Sequence, residues 1–315
     1  MKIDQAAIIG AGAIGVGWAI VFARSGIAVN TYDLDERQLG SFHSRVEERL
    51  KLLAENHLLD RDIHKILGQI HTYKSLQDAC VNVSYLQECG PERLEVKKSL
   101  FGELESIVDA QTIIASSSSA LKPSAMAADL KYSERFLVVH PANPPYLLPI
   151  AEVVPSPSTN SETIENTFEF LSDLGMKPVL INGEPEGFVF NRLQGAVLRE
   201  AYCLVRDGVI SAKDLDLIVT QALARRWSLI GPFTTSALNV EGGNRAHAAR
   251  MADSYYRMGL ERGQDDPWSD ELVEKVSQSI EQDWKVEDWE KNVLRRDLAL
   301  MHLLKLIQQD PELRL

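Results

Sequence analysis

Long apolar runs are missing from this 315-residue sequence. None approaches the ~18–20 residues that cross a bilayer, so no membrane span is expected. Basic charge is also short: 33 Lys and Arg stand against 45 Asp and Glu, a net charge of −12. That is the wrong sign for a nucleic-acid binder and leaves no basic stripe for an anionic membrane, so neither partner is expected. Cysteine is scarce. Cys80, Cys89 and Cys203 are odd in number, far apart and without a CxxC pair, which argues against a disulfide framework or a zinc site. No His/Cys/Asp cluster has ligand spacing, so no metal is expected. The N-terminus lacks the charged, apolar, small-residue order of a secretory signal, and the reducing cytoplasm is the expected location. Each cysteine is expected to act as a small buried hydrophobe.

What is present is ordinary for a soluble globular chain, with 45% hydrophobic and 25% charged residues and a length that suggests two domains. Seven short runs read as buried strands: Ala6–Ile9, Ala28–Tyr32, Val83–Gln87, Thr112–Ala115, Phe136–Val139, Ala151–Val154 and Val179–Ile181. Helical stretches lie between several of them, at Ile14–Arg24, Glu36–Asn56, Glu92–Ser106 and Thr159–Leu174. Such alternation predicts a Rossmann-type, doubly wound, mostly parallel α/β sheet covered on both faces. The texture changes near Pro185. Leu193, Val197, Ala201 and Leu204 mark one stripe of a helix that stops at Asp207-Gly208, and Ser211 with Asp214 opens another. The division is therefore placed at about residue 184, with an α/β domain over 1–184 and an all-α domain over 185–315.

Gly10, Gly12 and Gly15 form a GxGxxG directly after the strand AAII and at the head of an apolar helix. Alone the spacing is a weak signal; its context makes it strong. The first glycine permits a tight turn, the second lets backbone approach a pyrophosphate, and the third lets helix and strand pack closely. The phosphates then sit over free N–H groups at a helix N-terminus. Asp33 ends the next strand, where a carboxylate binds ribose hydroxyls and repels a 2′-phosphate. NAD is the expected cofactor, while Arg37, four residues on, keeps NADP use open.

A hydride carrier needs a proton acceptor beside it. Among seven histidines His140 is the candidate, because it ends the strand FLVV and precedes the rigid segment PANPP. Glu152 lies in an apolar run where a lone carboxylate is costly, and pairing with His140 would fix the imidazole tautomer. Each also has a plain reading: His140 as a structural histidine, Glu152 as half of a salt bridge, Ser116–Ser119 as a polar loop, and Asn191 as a first-turn residue of a helix.

Taken together, these segments resemble the 3-hydroxyacyl-CoA dehydrogenase superfamily from end to end, and most closely its L-gulonate 3-dehydrogenase (lambda-crystallin) branch. The matching segments include IIGAGAIG, TYDLD, QECGPERLEVKKSLFGELESIVD, SSSSAL, VVHPANPPYLLPIAEVVPSP, GFVFNRLQ, LVRDGVISAKDLDLIV, SLIGP and a closing LVEKVSQSI. The resemblance implies a catalytic set of Ser119, His140, Glu152 and Asn191, the first and last holding the substrate oxygen. It implies cofactor contacts at Ala13, Ile14, Glu92 and Lys97. It further implies an NAD-dependent oxidation in which His140 takes the hydroxyl proton at C3. The serine loop SSSSAL and the PANPPYLL after the histidine depart from the acyl-CoA enzymes and point to a free small 3-hydroxy acid. Arg226 aligns with an arginine of that branch and is a candidate grip on the substrate carboxylate. Glu241–Trp268 departs most from the pattern. L-Carnitine is an alternative substrate, for which Trp227, Tyr255 and Tyr256 are cage candidates. An acyl-CoA substrate, or a non-enzymatic NAD-binding structural role, are the others. Relatives pair through the helical domain, and the apolar positions of Leu298–Ile307 fit a homodimer.

Overall fold

The strands of the first 180 residues are short and β-branched, and in the computed structural model they form one eight-stranded sheet in the order β3-β2-β1-β4-β5-β6-β7-β8. The structure describes residues 3–241, 243–262, 271, 274, 285 and 288–309. Apart from Glu274, the segment LVEKVSQSI lies outside the described residues, as do positions 242 and 263–268 of the divergent stretch. The chain divides into two units: Met1–Arg192 with Leu300–His302, and Leu193–Ala299 with Leu303–Leu315.

In the first unit the strands are β1 (Gln5–Ile9), β2 (Ala28–Tyr32), β3 (Ile70–Tyr73), β4 (Tyr85–Glu88), β5 (Ile113–Ser116), β6 (Phe136–Pro141), β7 (Ile150–Pro155) and β8 (Lys177–Leu180). The first six run parallel, β7 is antiparallel to β6, and β8 is parallel to β7. The strand β3 is one more than the sequence reading finds. At this edge His71 and Thr72 face solvent, so the run carries no apolar signature. The helices are α1 (Ala13–Arg24), α2 (Glu36–Gly40), α3 (Phe42–Glu55), α4 (Ile63–Leu67), α5 (Leu76–Ala79), α6 (Leu94–Ile107), α7 (Pro123–Met126) and α8 (Ser161–Asp173). The single helix read over Glu36–Asn56 is two, broken at Ser41, whose hydroxyl turns back onto the carbonyls of Arg37 and Gln38.

Alternate residues of the buried strands feed two cores. Trp18, Phe22, Tyr85 and Phe170 stack in one, with Tyr85 and Phe170 ring centres 4.7 Å apart. In the other, Phe101 of α6 meets Phe136 of β6 at 4.8 Å, among Leu86, Leu104 and Ile114. Each such ring is worth about 1.5–3 kcal/mol in burial. Together they fix α1, α6 and α8 against the sheet and so fix its carboxyl edge.

The second unit is helical in its described residues: most of α9 (Phe190–Arg206), then α10 (Ala212–Ile218), a π-turn over Val219–Leu223, α11 (Ala224–Trp227), α12 (Pro232–Leu238), α13 (Gly243–Glu261) and most of a closing helix Trp289–Gln309. Ser211 caps α10 by accepting the Asp214 N–H at 3.1 Å. Arg262 ties the end of α13 to α9 through Glu200 and Asp207, at 3.1 and 2.6 Å. The expected stripe of α9 is only partly covered, for Leu193 is 61% and Val197 40% exposed, while Cys203 and Val205 are buried.

Candidate active site at the carboxyl edge of the sheet

The chain leaves β1 into the glycine turn. Gly10 has φ +116°, and a Cβ there would sit 2.7 Å from the Cys89 carbonyl. A Cβ on Gly15 would come within 2.0 Å of the Gly10 oxygen, so no side chain fits between strand and helix. A Cβ on Gly12, by contrast, would meet nothing within 4 Å. That open backbone leads into α1, whose first turn has neither a side-chain cap nor an acidic residue. The N–H groups of Ala13 and Ile14 are thus left for an anion. Asp33, just past β2, accepts the Ala11 N–H at 2.6 Å and so locks the turn from beside it. These residues fit a dinucleotide. Arg37 does not face Asp33; it is paired with Asp35 at 3.1 Å.

Farther along the same edge, β6 and β7 pair antiparallel with His140 directly opposite Glu152. Cross-strand neighbours share a face, which is why two residues twelve apart meet. His140 Nδ1 lies 2.8 Å from Glu152 Oε2, and both side chains are about nine-tenths buried. A carboxylate only accepts, so Nδ1 donates and the neutral ring carries its lone pair on Nε2. No described residue bonds Nε2, which leaves it open as a base. The other oxygen of Glu152 accepts the Val189 and Phe190 N–H groups at 2.8 and 2.9 Å, at the head of α9. Burial pushes the Glu152 carboxyl up, but the bonds from His140, Phe190 and Val189 outweigh it and hold it below the ordinary range.

Asn191, in the first turn of α9, donates from Nδ2 to the Ser119 carbonyl at 2.9 Å. The Ser119 hydroxyl makes no bond to any described residue, so it is available to a substrate oxygen. The four residues of the expected catalytic set therefore sit on one connected network inside the first unit.

Glu92 and Lys97 belong to the same network. Glu92 Oε1 accepts the Ser118 hydroxyl at 2.6 Å and the Ser119 and Ala120 N–H groups at 3.0 Å each. Burial raises its pKa, and these bonds with the Lys97 charge bring it net below the ordinary value. The Lys97 ammonium is 2.7 and 2.8 Å from the two oxygens of Glu88, which also accept Ser116 Oγ and the Gly90 N–H at 2.6 Å each. Sequence reasoning missed Glu88, because a strand-end glutamate carries no mark of its burial. It also missed Gln87 and Ser117. The Gln87 amide donates to Ser117 Oγ at 2.7 Å and to the Val139 carbonyl at 3.3 Å, tying the serine loop to the strand of His140. Trp18 Nε1 reaches the same Ser117 oxygen at 3.2 Å. Cys89, expected to be a small buried hydrophobe, is mostly but not fully buried and touches Ser117 at 3.4 Å. Burial pushes its thiol up to about 12, away from the reactive thiolate.

Comparison with known proteins bears on what this network serves. Residues 5–184 match the family described as 3-hydroxyacyl-CoA dehydrogenase, NAD binding domain, and residues 187–279 match its C-terminal domain. The chain belongs to the 3-hydroxyacyl-CoA dehydrogenase family. As a member it is an NAD-dependent oxidoreductase. It is 35% identical to the lambda-crystallin homolog of Homo sapiens over 96% of both chains, and 32% identical to L-carnitine dehydrogenase of Oceanobacillus iheyensis over 96% of this chain and 98% of that one. Among solved structures, the NAD+-dependent 5-formyl-3-hydroxy-2-methylpyridine 4-carboxylic acid 5-dehydrogenase has a TM-score of 0.84 at 25% identity, covering 98% of this chain and 99% of the other.

The remaining sequence candidates lie in the helical unit. Arg226 on α11 is exposed and donates to Asn239 at 3.4 Å. Trp227, Tyr255 and Tyr256 are 40, 55 and 68% exposed. Among the described residues no helix is long and apolar enough to cross a membrane.

Proposed function

We propose that the chain oxidises the 3-hydroxyl of a small 3-hydroxy acid of the L-gulonate type to the 3-keto acid. The observation that carries this reading is the His140–Glu152 pair, whose open Nε2 stands at the carboxyl edge of the sheet. When bound, NAD would supply the acceptor for the hydride that leaves C3. His140 Nε2 takes the hydroxyl proton, and Glu152 stabilises the imidazolium that results. The Ser119 hydroxyl and the Asn191 amide hold the substrate oxygen, as donors toward negative charge in the reverse direction. Gly10, Gly12, Ala13, Ile14, Gly15, Asp33, Glu92 and Lys97, all within residues 1–184, would hold the cofactor.

The loop SSSSAL and the PANPPYLL segment favour a free acid over an acyl-CoA. A second reading, L-carnitine, has the support of the full-length L-carnitine dehydrogenase relative and of exposed Trp227, Tyr255 and Tyr256 as a cage for a quaternary ammonium. Two copies pair through the helical region, a reading supported by exposed Phe233 and Leu238 there. The three free cysteines support a reducing cytoplasm.

The test is NADH formation with L-gulonate, 3-hydroxybutyrate, L-carnitine and a 3-hydroxyacyl-CoA. The highest kcat/KM is expected for gulonate. A preference for carnitine selects the second reading, and tight NADH binding with no turnover of any of the four would select a structural role. Light scattering tests the dimer, with twice the mass of one chain expected.

A further inference from the structure

The resemblance makes Glu92 a cofactor contact, yet one of its oxygens is already committed elsewhere. Three donors from Ser118, Ser119 and Ala120 converge on Oε1 within 3.0 Å. They fold the loop after β5 around a single anionic atom. The Ser119 carbonyl is held from the other side by Asn191. Between those two contacts the backbone of Ser119 is fixed at both its N–H and its C=O, and its hydroxyl is left free.

The anchor is itself anchored. Glu92 Oε2 faces the Lys97 ammonium at 3.7 Å, and that ammonium cannot swing away, because it is buried and bonded to both oxygens of Glu88. Glu88 in turn is pinned by Ser116, the last residue of β5. A continuous run of charge-assisted contacts thus leads from the rigid sheet through Glu88 and Lys97 to Glu92, and from there to the loop. The Glu88 contacts, at 2.6–2.8 Å, are short as charge-assisted bonds are, and the Lys97–Glu92 contact at 3.7 Å is an ion pair without a hydrogen bond.

We propose that Glu92 is the positioning residue for Ser119, acting through the loop backbone and steadied by the Lys97–Glu88 pair. It would do this whether or not its second oxygen also touches the cofactor. The inference rests on the dehydrogenase reading for the role of Ser119, but not for the loop anchor itself.

The test compares Glu92→Ala, Glu92→Gln and Ser118→Ala with the parent chain. Hydrogen exchange at the Ser119 and Ala120 amides, followed without cofactor, is expected to quicken about tenfold or more in Glu92→Ala. Glu92→Gln, which keeps an acceptor oxygen, is expected to fall between. At saturating NAD, kcat is expected to drop about tenfold or more in Glu92→Ala, with partial rescue in Glu92→Gln. Should Glu92→Ala fail to fold, Ser118→Ala removes the shortest loop contact and is expected to lower kcat while leaving the KM for NAD unchanged. Unchanged amide exchange, or a raised KM for NAD with kcat intact, would overturn the proposal. The exchange arm needs no substrate, so a chain that oxidises none of the four acids would refute the dehydrogenase reading and leave the anchor to be decided separately.

Discussion

Two buried pairs stand at the same sheet edge, Glu88–Lys97 on β4 and α6 and His140–Glu152 on β6 and β7, with β5 between them, and they differ in how far they are closed. Glu88–Lys97 is saturated. Both carboxylate oxygens have donors, and the ammonium has both oxygens within 2.8 Å and is almost wholly buried. His140–Glu152 is open at one atom: its carboxylate is fully engaged, while the ring keeps Nε2 unbonded. A closed pair has no spare atom with which to move a proton. An open pair, braced on one side and free on the other, can move a proton. The lesson is that burial of charge does not by itself mark a site; an unsatisfied atom on an otherwise satisfied network does.

The comparison can be broken from either side. The largest effect is expected for Glu152→Gln. Its amide would place a donor against His140 Nδ1, forcing the proton to Nε2 and removing the base. Turnover should fall on the order of 10²–10⁴-fold in steady-state NADH formation, with NADH affinity kept. Next comes Glu88→Ala, which strands a buried ammonium and should cost about 3–5 kcal/mol in urea unfolding. The double variant Glu88→Leu/Lys97→Met should recover most of that stability. Ser119→Ala removes a free hydroxyl only. It should lower kcat about 10²–10³-fold with no shift in the unfolding midpoint.

The smallest effect is in acid. The folded pKa of Glu152 is depressed, so its stabilisation is complete above the ordinary 4.5 and is lost as pH falls through the lower folded value. The stability gap between the parent chain and Glu152→Gln, from urea titrations at stepped pH, should be flat above 4.5 and shrink below it.

What could be read from the sequence follows from how local each signal is. The glycine turn, Asp33 and the α/β-then-helical order are written in spacing and hydrophobic period, and the structure carries them. A lone carboxylate in an apolar strand calls for a partner, and that much is legible, but the antiparallel turn of β7 that sets Glu152 opposite His140 leaves no local trace. The strand β3 was invisible because an edge strand half in water has no apolar run. The saturation of Glu88, and the commitment of one Glu92 oxygen to the serine loop, depend on where β4 and β5 end and α6 begins. No periodicity encodes that.

The most direct test of the central claim is the rate of NADH formation by His140→Ala at saturating NAD and the preferred 3-hydroxy acid, on protein that binds NADH as the parent chain does. The account predicts a loss of about 10²–10⁴-fold. A variant that turns over as fast as the parent chain would contradict it.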